Sequence, residues 1–297
     1  MDWLELSCQV DREAVEPVSE LFARHGRGAA IEEDVDSVEG EGPRTPSPFV
    51  TVRTYLPLDE QADEKRLAIE TGLWVLGMIR PVGALLVRTL KEQDWAEAWK
   101  AHFHVHRIGR RVVIKPSWRE YDPQPDDIVI QLDPGMAFGT GLHPTTQLCV
   151  ETLDDYLKPG QQVLDLGTGS GILAIAAALL GASSVLALDV DPLAVDAARA
   201  NAAANGLADS ISVENGSLPR AGITTPFDLI VANIIAHVLR DLAGPLAEAL
   251  APGGLLVASG IIAEREAEVV TAFADTGLPI VERRQRGDWV ALVARRR

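Results

Sequence analysis

The sequence predicts an α/β protein, and three observations carry that prediction. From residue 145 onward, short apolar runs alternate regularly with helical segments. Before them, strand and helix signals follow the order strand, helix, strand, strand, helix, strand. The composition supports two packed cores: 297 residues, 47% of them hydrophobic and 24% charged. Alternating strand–helix–strand units require a largely parallel sheet covered by helices on both faces. The second part therefore reads as a doubly wound, seven-stranded sheet, and the first as a small α+β domain. The expected division is a domain at 1–90, a linking region at 91–117 and a second domain at 118–297.

The elements follow in order. Trp3–Val10 alternates like a strand, Val15–His25 has helical periodicity, and Ala29–Glu33 is a short strand. An acidic, Gly- and Pro-rich loop runs from Asp34 to Pro48, and Phe49–Leu56 is the next strand. Glu60–Met78 is helical by its period, and Ala84–Leu90 is the last strand of this unit. That order is the ferredoxin-like split unit. Asp94–His104 reads as an amphipathic linker helix on which Trp95 and Trp99 share a packing face. The second domain starts after Pro116-Ser117-Trp118. Its helices are Thr145–Leu157, Gly171–Leu180 and Asp191–Asn205, the last with Pro192 in its first turn. Its strands are Gln162–Leu166, Val185–Val190, Ile211–Glu214, Phe227–Asn233 and Gly254–Ser259, with Pro279–Arg284 and Trp289–Ala294 as a closing antiparallel hairpin.

Charge and cysteine content narrow the function classes. A formal net charge of −16 disfavours binding to a nucleic-acid backbone, which needs clustered Lys and Arg, and suits a basic protein partner. It equally serves plain solubility. Cys8 and Cys149 lie far apart without metal spacing and read as buried apolar groups in a reducing cytoplasm. No apolar run approaches the ~18 residues a membrane span needs. The start, Met1-Asp2-Trp3-Leu4-Glu5, lacks a basic region followed by an apolar one, so no secretory signal is expected.

The chemistry concentrates at the C-terminal ends of the strands, where open α/β sheets bind ligands. Val163–Gly171 reads V-L-D-L-G-T-G-S-G: a strand ending at Asp165-Leu166, then Gly167, Gly169 and Gly171, then a helix. A dinucleotide fingerprint would need its third glycine at 172, where Ile172 stands, which argues against a nicotinamide dehydrogenase. The spacing G-x-G-x-G resembles the first motif of S-adenosylmethionine (AdoMet) methyltransferases. On that reading Gly167 and Gly169 bring backbone amides to the amino-acid end of the cofactor, and Asp165 meets its ammonium directly or through water. Asp189, ending the next strand, accepts from two ribose hydroxyls. Asn215-Gly216-Ser217 frames the adenine edge. Asn233, polar inside an apolar run, faces the methyl group, since an unpaired buried amide is costly. Each of these residues also has an ordinary reading as a turn or cap. Methyl transfer from a sulfonium is an in-line displacement that needs no metal, only alignment and an unprotonated acceptor.

The segment Asp133–Thr146, D-P-G-M-A-F-G-T-G-L-H-P-T-T, is rich in Gly, Pro and Thr around Phe138 and His143. Phe138 is expected to close over the methyl donor. His143 is the histidine available as a base, although a lone histidine is more often structural. This loop, together with V-L-D-L-G-T-G-S-G-I-L-A-I-A-A, A-L-D-V-D-P, V-A-N-I-I-A, D-W-A-E-A-W-K and P-S-W, resembles the ribosomal protein L11 methyltransferase family over nearly the whole chain. The resemblance implies a seven-stranded methyltransferase sheet, AdoMet contacts at Thr146, Gly167, Asp189 and Asn233, and a monomer. It also implies a basic ribosomal protein substrate recognised by residues 1–90 and methylated on its α-amine and lysine ε-amines. No nucleic acid or membrane is required. Methyltransferases of adenine or of glutamine amides follow the Asn with two prolines and an aromatic that stacks a planar acceptor. Here Ile234-Ile235-Ala236 follow, which offers no stacking surface. A non-catalytic AdoMet-binding module is the rival from another class.

Overall fold

The computed structural model describes residues 2–11, 14–26, 30–35, 46–78, 80–91, 104–133, 141, 143–219 and 226–297. The chain divides into two compact units, 1–103 and 104–297. The first holds β1 (Trp3–Asp11), α1 (Val15–His25), β2 (Ala30–Val35), β3 (Pro46–Pro57), α2 (Ala62–Gly77) and β4 (Leu86–Leu90). Its antiparallel sheet has the order β2-β3-β1-β4, the arrangement expected of the split unit. Alternation along β1 sends Leu4, Leu6, Cys8 and Val10 into one core with Phe22 of α1 and Ile69 of α2. The expected linker helix and most of the 34–48 loop lie outside the described residues.

The second unit opens earlier than the sequence suggested. Residues 104–117 belong to it, because β5 (His106–Ile108), β6 (Val112–Lys115) and β7 (Ile128–Gln131) form a small three-stranded sheet. The apolar triplets Val112–Ile114 and Ile128–Ile130 pair in parallel, and at three to four residues each they are too short to stand out as strands.

The main sheet follows: α3 (Pro144–Tyr156), β8 (Gln162–Leu166), α4 (Ile172–Leu179), β9 (Ser184–Asp189), α5 (Pro192–Ala204), β10 (Ile211–Asn215) and β11 (Phe227–Asn233). Then come α6 (Ala236–Asp241), α7 (Ala243–Ala249), β12 (Leu250–Ile262), α8 (Glu266–Asp275), β13 (Ile280–Arg286) and β14 (Trp289–Arg295). The strand order is β10-β9-β8-β11-β12-β14-β13, parallel from β10 to β12, with β14 and β13 antiparallel. This is the expected seven-stranded sheet with its closing hairpin. Both faces are buried. Val163, Val185, Val231 and Val257 pack with α3, α4 and α5, whereas Leu164, Leu188, Ile230 and Leu256 pack with α6, α7 and α8.

Period-two alternation decides where the polar residues point. Asp165 lies two residues after Val163, Asp189 two after Ala187, and Asn233 two after Val231, and those neighbours all belong to the α3–α5 face. The order of strands reverses between β8 and β11, so Asp165 and Asn233 stand at the switch point of the sheet, where such folds bind ligands.

Candidate active site

The glycine turn is built around left-handed backbone. Gly167, Gly169 and Gly171 have φ of 74°, 56° and 83°, values that L side chains disfavour. The third also lets α4 approach α5, since a Cβ at Gly171 would stand 3.1 Å from Ala198. The amides of the first two are already engaged. Gly167 N–H donates to the Leu188 carbonyl at 2.8 Å, and Gly169 N–H donates to Asp189 Oδ2 at 2.9 Å. The expectation that these amides face the cofactor is therefore corrected: they tie the turn to the end of β9.

Asp165 is fully buried and occupies a core position of β8, opposite Ala187 and Val231 in register. Its Oδ2 accepts from Thr168 Oγ1 at 2.6 Å and from the Ala174 amide at 3.0 Å. Oδ1 is buried and has no hydrogen-bond partner among the described residues. Desolvation pushes the carboxyl up to about 7, against the pull of those two donors. An orphaned carboxylate oxygen at this depth calls for a cationic or N–H donor, and the ammonium of AdoMet supplies one. The residues present fit that cofactor.

Asp189 ends β9 with each oxygen accepting one backbone bond, Oδ2 from Gly169 and Oδ1 from the Asp191 amide at 3.0 Å. Each oxygen keeps a second lone pair, so a pair of hydroxyls can still be bound. Asn215 lies opposite Asp189 in register, and its Nδ2 donates to the carbonyls of Asp189 and Val190, both at 3.1 Å. Its side chain thus braces the turn that follows Asp189.

At the other side of the switch point, Asn233 Nδ2 reaches Thr146 Oγ1 of α3 at 3.4 Å, and Thr146 is buried. Ion pairs Glu151–Arg286 (2.9 Å) and Asp155–Arg284 (2.8 Å), with the Tyr156–Glu282 hydrogen bond, hold α3 against β13.

His143 is the N-cap of α3. Its Nδ1 accepts from the Thr145 amide at 3.4 Å and lies 2.7 Å from Thr145 Oγ1, with Pro144 at the first helical position. The ring meets Trp289 edge-on, centroids 4.7 Å apart. Burial pushes the imidazole down to about 4. A ring so capped, packed and poorly basic is a structural element, which supports the plainer of the two readings. Phe138 lies outside the described residues, as does the 134–140 segment. Among the described residues, no cluster of His, Cys, Asp and Glu could hold a metal ion.

Thr168, Ser259 and Gly260 also shape this site and are not singled out by the sequence. The lone signal for Gly260 is that it follows the last strand residue expected on β12.

Comparison with known proteins is unambiguous. The sequence profile of the family described as Ribosomal protein L11 methyltransferase (PrmA) matches residues 2–297. A curated relative of that name from Chloroflexus aurantiacus is 54% identical over 321 aligned residues, covering 99% of this chain and 98% of its own. Another, from Herpetosiphon aurantiacus, is 52% identical and covers 100% and 99% respectively. The crystal structure of a ribosomal protein L11 methylase from Lactobacillus delbrueckii subsp. bulgaricus superposes with a TM-score of 0.61 at 40% identity, over 66% of this chain and 100% of that one. The chain belongs to the ribosomal protein L11 methyltransferase family of AdoMet-dependent enzymes.

Proposed function

We propose that this chain transfers methyl groups from AdoMet to the α-amine and lysine ε-amines of ribosomal protein L11, in the cytoplasm and as a monomer. The observation that carries the reading is the juxtaposition at the switch point: an orphaned carboxylate oxygen on Asp165, the Asp189 carboxylate, and the Asn233 amide share one face of the sheet.

Bound AdoMet supplies an electrophilic methyl group. Asp165 Oδ1 holds the ammonium, Asp189 takes the ribose hydroxyls, and Thr146 steadies Asn233. Asn233 orients the acceptor nitrogen. An amine attacks only when neutral, with reference pKa values of ~7.7–8.0 for an α-amine and ~10.4 for lysine. Asn233 cannot take a proton and His143 is held as a cap, so water removes it and the site works by alignment. Aliphatic Ile234 and Ile235 beside Asn233 suit the stem of a lysine better than a planar base. Residues 1–90 recognise the protein substrate, and the −16 charge favours a basic one. Neither nucleic acid nor membrane takes part.

The test is transfer of labelled methyl from AdoMet by the purified chain to ribosomal protein L11 offered together with ribosomal RNA. Label in the protein as N-methyl amino acids is expected. Label found in ribosomal RNA instead, or none transferred, would overturn the proposal.

A further inference from the structure

The Asn233–Ile234 turn is gripped by two segments that have no side chain where they touch it. On one side, a Cβ at Gly167 would overlap Ile234 Cγ2. On the other, a Cβ at Gly260 would stand 2.5 Å from the Ile234 carbonyl oxygen, 2.8 Å from its carbonyl carbon and 3.0 Å from its nitrogen. Those three are backbone atoms, and no rotamer change can move them away. The Ile234 amide donates to the Ser259 carbonyl at 3.1 Å. Ser259 is itself fixed from behind, fully buried with its Oγ donating to the Val290 carbonyl at 2.9 Å. The pairing of β12 with β14 shifts register between Ala258 and Ile261, and Gly260 turns the strand there with φ of 82°. The sheet thus breaks its regular ladder where it passes the turn that carries Asn233.

We propose that Gly260 is a positioning residue for methyl transfer. By leaving room for the Ile234 backbone it sets where the Asn233 amide and the Ile234 carbonyl stand against the acceptor nitrogen. It touches neither donor nor acceptor and acts through Ile234. The inference rests on the amine methyltransferase reading, and it predicts a loss confined to the transfer step. Asp165 and Asp189 lie on β8 and β9, away from the Gly260 contact, so cofactor affinity should be kept.

The experiment compares Gly260→Ala with Gly253→Ala. Gly253 lies on the same strand with a similar φ of 79°, but a Cβ there would meet nothing within 4 Å. Both variants carry left-handed strain, and Gly260→Ala alone collides with the turn. Methylation of ribosomal protein L11 gives kcat and KM, and calorimetry gives AdoMet affinity. Gly260→Ala should lower kcat at least about tenfold with AdoMet affinity within about threefold, because small misplacements of reacting groups have effects of that size. Gly253→Ala should stay within about twofold of wild type on every measure. Unchanged kcat in Gly260→Ala, or an equal loss in Gly253→Ala, would overturn the proposal. If Gly260→Ala is too unstable to bind AdoMet, Ser259→Ala decides, since it releases the Gly260 segment from the Val290 carbonyl without adding an atom beside Ile234. It should lose kcat at least about tenfold and keep AdoMet binding; unchanged kcat there overturns the assignment. A wild-type chain inactive on the ribosomal protein would overturn both readings, whereas an active wild type with an active Gly260→Ala overturns this one alone.

Discussion

Replacing Asp165 by Asn should remove a pH dependence from cofactor binding, and the structure sets its size. Burial raises the Asp165 carboxyl to about 7, compared with ~3.9 in an unfolded chain. The free folded protein therefore holds a proton that the unfolded chain has lost. The stability this contributes is complete below about pH 4 and disappears as pH rises through 7, a difference of about 4 kcal/mol. AdoMet reverses the preference, because an ammonium beside Oδ1 favours the ionised carboxylate. Affinity then follows the ionised fraction, about three quarters at pH 7.5 and about 3% at pH 5.5, a drop of roughly twentyfold or ~2 kcal/mol. His143, held at about 4, stays neutral across this window. Calorimetric titration of AdoMet at half-unit steps of pH measures the slope. Asp165→Asn keeps the side-chain volume and an acceptor for Thr168, and its affinity should be lower at pH 7.5 and flat down to 5.5. A wild type whose affinity does not change over that range, or a variant with the wild-type slope, would refute the pairing of Asp165 with the cofactor ammonium.

Other expectations follow from the same geometry. Asp189→Ala should weaken AdoMet binding by about 1.5–3 kcal/mol, roughly ten- to a hundredfold, in a protein still folded by circular dichroism; unchanged affinity would remove the ribose assignment. Asn233→Ala should lower kcat by at least about tenfold, whereas His143→Ala should keep most of kcat and lose ~1 kcal/mol of stability with its cap. Equal, severe losses of kcat in both would mean that a histidine base operates. The rate should rise with pH through the acceptor's own pKa, earlier for the α-amine than for lysine. An alkaline limb that vanishes only in His143→Ala would contradict this. A chain beginning at His104 should bind AdoMet and fail to methylate the ribosomal protein; a full rate would show that the first unit does not select the substrate.

Much of this architecture is legible in the sequence because period and punctuation are strong there. The run V-L-D-L-G-T-G-S-G marks strand, turn and helix at once, and Asp165, Asp189 and Asn233 each fall at the end of an expected strand. Three things escape such reading. The strands at 106–131 are too short for a period to show, so 104–117 read as linker. The amides of Gly167 and Gly169 find partners on β9, twenty residues or so away, which motif spacing cannot reveal. Gly260 looks like any glycine after a strand until the Ile234 backbone is found pressed against it. His143 shows the converse case: its residue type suggested chemistry, and its place before Pro144 makes it a cap.

Peptide mapping decides whether this switch-point site methylates amines of one ribosomal protein. Ribosomal protein L11 would be incubated with AdoMet and either the wild-type chain or Asn233→Ala, then digested and mapped by mass spectrometry. Whole-methyl increments are expected on the N-terminal peptide and on lysine-bearing peptides with the wild type, and strongly reduced increments with the variant. Increments on glutamine or other side chains, or equal modification by both proteins, would contradict amine methylation at this site.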